Sequence, residues 1–318
     1  MRLACRRVAK LASPGRPASN TGRSAARPSS TKEIAIPSAL SCRRWVAGLV
    51  LGAASLAGAA QEPALYVYST IDALLAGVYE GELTIGQLSA RGDFGIGTYN
   101  GLDGELVAHE GRFYHVRADG SVRIAAPTDR TPLAYVLPFA PTRSVALGAA
   151  ASLPALEALA DQQLGNKNMF YAIEIKGRFT GISTRAIPAQ VRPYRPLAEV
   201  SKSQNVFARD AVAGTLVGIR SPSLSKGISV PGYHWHFISD DRSFGGHVLG
   251  TALERGVLRL AQVRRLEVEL PLNDDFARAD QDKDRAAELR KVESAQHDKN
   301  DKAQDKSQDK AQDGNPKP

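Results

Sequence analysis

YHWHFISDDRSFGGHVLG, residues 233–250, decides how this chain is read. YHWHFIS alternates with a period of two, SDDRS is a turn, and GGHVLG reads as a returning strand. Residues i and i+2 of a strand project from the same face. His234 and His236 therefore point together, and Trp235 points away. The turn-rich connection brings His247 back on the neighbouring strand. Three imidazoles on one concave sheet face can hold a divalent metal and leave positions open for a substrate. An H-x-H pair alone is more often a solvated strand face. The return of His247, with Gly245-Gly246 permitting a close turn, favours the metal. The chain has six histidines; of the other three, His109 and His115 are expected to be exposed sheet residues, and His297 lies in a polar tail.

Outward from this hairpin, the second half is rich in short strands. GTLVGIRSP, GGHVLGTAL, GVLRLAQVR and LEVELP follow one another with Gly or Asp/Ser turns, which suggests a barrel-like or sandwiched β-region. NMFYAIEIKGRFTGISTRAIP (168–188) reads as two strands around Gly177. In the first half, STIDALLAGVYEG (69–81) has helical spacing, and TIGQLSARG is a second short helix. FGIGTYNGLDGELVAHEGRFYHVR (94–117) is a β-meander with turns at Asp103-Gly104 and Glu110-Gly111. RTPLAYVLPF adds a strand, SLPALEALADQQL (152–164) a helix, and a short helix is predicted near 197–203. The organisation is read as a leader over 1–60, a mixed-sheet domain over 61–166, a β-barrel metal domain over 167–280, a segment over 281–297 and a tail over 298–318.

The net charge of +8 points to an acidic partner only until the charges are located. Residues 1–59 hold ten Lys and Arg against one acid, Glu33, leaving 31 bases and 32 acids for the rest. The basicity belongs to the leader, so nothing here argues for nucleic acid. Arg43-Arg44, the apolar run WVAGLVLGAASLAGAA and the A-x-A site at Ala57-Gly58-Ala59 read as a signal peptide. Export to the periplasm or medium is expected, with cleavage near Ala59 and no membrane segment in the mature chain. Cys5 and Cys42 both lie in that leader, so the mature chain has no thiolate and any metal must sit on nitrogen and oxygen. The Asp/Lys/Gln repeat of 298–318 has nothing with which to build a core.

GDFGIGTYNGLDGEL (92–106), GRFTGISTRAIPAQ (177–190) and VPGYHWHFISDDRSFGGHVLG (230–250), followed by LEVELP, together resemble the acetolactate decarboxylase family. The similarity runs from about Leu65 to Glu293. The resemblance implies an α+β, β-rich fold, with an N-terminal mixed β-sheet with helices and a C-terminal small β-barrel carrying the metal site. It implies a homodimer formed by sheet association. It further implies zinc (Zn2+) on His234, His236 and His247, with Glu293 reaching back to the metal. Glu105, in the L-D-G-E turn, and Arg185, in the S-T-R segment, become the expected active-site pair. On the residues alone Glu105 is a hairpin carboxylate, Arg185 a surface strand residue and Glu293 a helix-face charge. The resemblance, not their spacing, singles them out.

The implied reaction converts 2-acetolactate to acetoin and carbon dioxide. Loss of carbon dioxide leaves an electron pair on the former ketone. One metal chelating the ketone and the neighbouring hydroxyl can stabilise the enediolate without an organic cofactor. Arg185 suits a carboxylate because its planar fork binds two oxygens, and Glu105 could deliver a proton if burial raises its pKa. Two other readings stay open. A cupin-like metal oxygenase would also use H-x-H and a distant histidine, with Asp240 the nearest acidic candidate, and a secreted metal- or ligand-binding module would use them for storage.

Overall fold

The computed structural model describes residues 63–293. The leader with its expected cleavage site, His297 and the repetitive tail lie outside the described residues. The elements in chain order are β1 (Ala64–Tyr68), α1 (Ile71–Leu75), α2 (Ile85–Ser89), β2 (Phe94–Thr98), β3 (Glu105–His109), β4 (Arg112–Val116), β5 (Val122–Ile124), β6 (Ala134–Leu137) and β7 (Arg143–Leu147). They continue as α3 (Leu153–Asp161), β8 (Phe170–Ala186), α4 (Leu197–Val200), β9 (Asn205–Ser221), β10 (Gly232–Ser239), β11 (Gly245–Val263), β12 (Arg265–Glu269), α5 (Asp274–Arg278) and α6 (Ala286–Glu293).

Two sheets and a few short helices make the β-rich α+β fold. The first sheet has the order β12-β1-β6-β2-β3-β4-β5. It is mixed, because β12 runs parallel to β1 while the other pairs are antiparallel. The second sheet is antiparallel, in the order β10-β9-β8-β11-β7. β10 also pairs with the start of β11, so the pairings run in a circuit from β8 through β9, β10 and β11 back to β8. A core containing Val67, Phe94, Val107 and Tyr135 of the first sheet and Ala172, Val217, Ile219 and Ile238 of the second joins the two sheets. A second core packs α3 against the second sheet through Leu156 and Ala160, and a third covers the far face of the first sheet with Ile85 and Leu88 of α2.

Local chemistry explains where the elements depart from the sequence reading. The helix expected over 69–81 ends after Leu75. Thr70 caps its start by accepting from the Ala73 N–H, and Gly77 stops it at a φ of +96°, which L side chains rarely adopt. The helix expected over 152–164 is α3, capped by Ser152. Phe170–Ala186 is one strand, not two. Gly177 is a close approach and not a turn, since a Cβ there would lie 2.4 Å from the Arg255 carbonyl oxygen of β11. GGHVLGTAL and GVLRLAQVR likewise fuse into the single strand β11. LEVELP contributes β12 to the first sheet instead of the second-half β-region, and β7, an unforeseen strand, joins the second sheet.

The expectation that His109 and His115 are exposed is corrected: they retain 2% and 1% of their accessible surface. His109 Nε2 lies 3.1 Å from the Glu174 carboxylate, which is itself clamped by Arg259 through bonds of 2.8 and 2.7 Å. A buried carboxylate held by two donors crosses from the first sheet to the second there. The partners are 65 and 150 positions away from His109, beyond any local pattern.

Candidate metal centre

β10 and β11 build the centre as their alternation requires. His236 and His247 are directly opposite in the antiparallel pairing, and His234 lies two residues back along the same face. The rings of His234 and His236 have centroids 5.2 Å apart, His234 and His247 5.0 Å, and His236 and His247 5.5 Å. Each offers one nitrogen, and the three nitrogens lie within 4.8 Å of one another. Trp235 points the other way, where its indole N–H donates to Glu157 of α3 at 3.1 Å.

The side chains are prepared for a cation. His236 Nδ1 donates to the Leu106 carbonyl oxygen at 2.8 Å, which fixes the tautomer and turns Nε2 inward. That Nε2 is buried and has no hydrogen-bond partner; the nearest carboxylate, Glu105, is 3.5 Å away. Burial, with the Arg185 charge adding to it, holds His234 down at about 3. His236 and His247 are also lowered, mainly by burial, so all three rings are neutral at physiological pH. Neutral nitrogens facing one another around a common point suit a divalent metal, and an unsatisfied buried Nε2 is costly without one.

Three more expected residues meet here. Glu105, at the start of β3, is buried beside His236, and burial pushes its carboxyl up to about 8 against the pull of Arg185. Glu293, at the end of α6, brings Oε2 to 3.4 Å from His247 Nε2, and burial raises its pKa as well. Arg185 is the cross-strand neighbour of His247 on β8 and is 4% exposed. Its Nη1 donates to the Gln204 side chain and the Val292 carbonyl, both at 3.0 Å, tying α6 to the sheet, while its Nε stays without a partner. One cation between two carboxylates and three imidazoles gives the site its electrostatic balance.

Several contributors were not singled out from sequence. Leu106 acts through its backbone carbonyl, Gln204 through an amide in a loop, and Tyr135 sets its ring edge-on to His234 at 6.3 Å. Only the position of Leu106, next to Glu105, offered any signal. A cavity of about 830 Å³ reaches the centre past Ser152, Glu157, Tyr233 and Trp235 to His247 and Glu293. A second, of about 360 Å³, lies between Asp72, Val230 and Glu293. Both fall in the size range of small-molecule sites.

Known proteins resemble this chain over most of its described residues. The sequence profile described as alpha-acetolactate decarboxylase matches residues 65–283. The alpha-acetolactate decarboxylase of Methanosarcina mazei is 43% identical over 229 residues, which are 72% of this chain and 80% of that protein. That of Klebsiella aerogenes is 44% identical over 215 residues, 68% of this chain and 83% of the relative. The crystal structure of alpha-acetolactate decarboxylase from Bacillus subtilis strain 168 superposes with a TM-score of 0.70 at 37% identity, covering 72% of this chain and 98% of that one.

Proposed function

Because this chain belongs to the alpha-acetolactate decarboxylase family, a family of carboxy-lyases, we propose that it decarboxylates 2-acetolactate to acetoin with zinc held by His234, His236 and His247. One observation carries the metal assignment. His236 Nε2 is buried, unpartnered and turned toward two other neutral imidazoles by the bond its own Nδ1 makes to Leu106. Zinc held there would supply a Lewis acid, the chemistry that offsets the negative charge left when carbon dioxide departs.

The remaining steps belong to the side chains. Arg185, fixed by Gln204 and Val292, faces the carboxylate end of the substrate and offsets its charge. The carbon–carbon bond to that carboxylate breaks, carbon dioxide leaves, and the electron pair remains on the enediolate. Glu105, a buried carboxyl whose pKa burial raises, gives its proton to the carbon that lost the carboxylate. The proton taken up balances the reaction, and water restores the carboxyl group. Glu293 closes the site from α6 as the fourth protein ligand. We read the circuit of pairings through β8–β11 as the small barrel that carries the site. The homodimer belongs to the same reading: β9 pairs β10 only from Gly214 onward, so its first half offers an edge for sheet association. Export with cleavage near Ala59 is also part of this proposal; the leader lies outside the described residues, and none of the described helices is long and apolar enough to cross a membrane.

Turnover separates the proposal from other uses of the same histidines. Zinc-loaded protein should release acetoin and carbon dioxide in equal amounts from 2-acetolactate. Dioxygen consumption would indicate an oxygenase, and no turnover a binding module. The role of Glu293 is tested by two truncations. Removing residues 298–318 should leave turnover within about twofold, because that repeat has little with which to form a core. Removing everything from 285 onward should lower it by at least about tenfold, since losing even a partner of a metal ligand costs about that much. Equal activity in both truncated proteins would take Glu293 out of the site.

A further inference from the structure

We propose that His115 is a positioning residue for Glu105, its imidazole clamping the turn that aims the Glu105 carboxyl at the metal centre. The inference rests on the reading of Glu105 as proton donor. His115 sits on β4, directly opposite Leu106 of β3, and is almost wholly buried. Its Nε2 is bonded to the carbonyl oxygen of Asp103, two residues before Glu105. A carbonyl can only accept, so Nε2 carries the hydrogen. Burial lowers the pKa of the ring and leaves it neutral, with that single N–H to give.

The ring has little freedom to turn away. It stacks on Tyr99 with centroids 3.9 Å apart and an angle of 25°, and Tyr99 is anchored through its hydroxyl to the Tyr114 carbonyl at 3.1 Å. Its other nitrogen, Nδ1, is buried without a partner, so the orientation serves the Asp103 bond alone. The next residue is held as firmly. Gly104 has a φ of +72°, and a Cβ there would lie 2.1 Å from the Val116 carbonyl oxygen. Its carbonyl accepts from Thr98 Oγ1 at 2.6 Å, and its N–H donates to the Ile187 carbonyl at 3.0 Å. The carbonyls of both residues before Glu105 are therefore gripped by buried side chains, one from β4 and one from β2.

On the other side of Glu105, the Leu106 carbonyl takes the hydrogen of His236 Nδ1. One short run of backbone thus sets the proton donor and orients a metal-facing imidazole. Small errors in its position should be felt in chemistry more than in substrate binding, because misplacing a reacting group by about 1 Å can cost about a hundredfold in rate.

The test uses the zinc-loaded full chain with 2-acetolactate. His115→Phe keeps the volume and the stacking on Tyr99 but removes the donor. His115→Gln keeps a donor near the place of Nε2. In His115→Phe, kcat should fall about tenfold or more with KM within about twofold, and zinc should stay bound. His115→Gln should recover kcat to within about threefold of the parent. If His115→Phe does not fold, His115→Asn replaces it: its donor is one bond too short, so it should be as slow as expected for Phe while Gln is not. Normal kcat in His115→Phe, equal rates in Asn and Gln, or zinc loss with the rate change would each overturn the proposal. Glu105→Gln measured alongside separates the two ideas. A near-normal rate there removes the premise, and a large loss there with a normal His115→Phe removes only the clamp.

Discussion

His236→Ala should strip the zinc and lower acetoin formation by at least about a thousandfold, the scale of several kcal/mol of lost Lewis-acid stabilisation. His236 is the centre's most constrained ring. Its Nδ1 is committed to the Leu106 carbonyl, and its Nε2 has no other partner. Without it, only two of the three clustered imidazoles, His234 and His247, remain. The variant also leaves the Leu106 carbonyl without its donor, a cost of about 1–3 kcal/mol in stability. The proper control is therefore metal-free parent protein: the variant should match its inactivity even in excess zinc. Full zinc occupancy together with normal turnover in His236→Ala would sink the metal assignment.

Glu105→Gln should lower kcat by about a hundredfold or more while zinc stays bound. The amide keeps the shape of the side chain but cannot give and regain a proton in the same way. The surroundings favour a donor. The carboxyl is buried beside His236, and burial outweighs the Arg185 charge and raises its pKa, which favours the protonated form. Metal content has to be measured with the rate. A slow enzyme with full zinc fits the donor role, whereas zinc loss would make Glu105 a ligand or a support for one. Near-normal kinetics would leave it a buried carboxyl of the β3 turn.

The metal-facing strands were the most legible part of the fold. The period of two in YHWHFIS and the Gly-rich return are local features, and they place His234, His236 and His247 on one face without knowledge of the rest of the chain. The helices that became α1 and α3 were legible for the same reason, although the first ends sooner than its spacing suggests. Strand length was not. Gly177 reads as a turn until the close approach of β11 shows why a side chain is excluded there. The placement of β12 beside β1 depends on a pairing between residues some 200 positions apart, which no local pattern specifies.

The site divides along the same line. Glu105, Arg185 and Glu293 look like ordinary surface charges in isolation, and only the resemblance to a family marked them. Burial then distinguishes them: it raises the pKa of both carboxyls, and Arg185, itself 4% exposed, pulls against that rise. His109 and His115 were misjudged for the converse reason. An alternating strand has two faces, and both faces of β3 and β4 are covered, one by the second sheet and one by the third core.

Removal and return of the metal decide whether turnover depends on zinc. Purified residues 61–318 would be assayed for acetoin release from 2-acetolactate before chelation, after chelation and dialysis, and during stepwise addition of zinc. Activity should vanish with the metal and return in proportion to zinc bound, reaching its plateau at one zinc per chain. Undiminished acetoin release from protein shown to be free of metal would contradict that dependence.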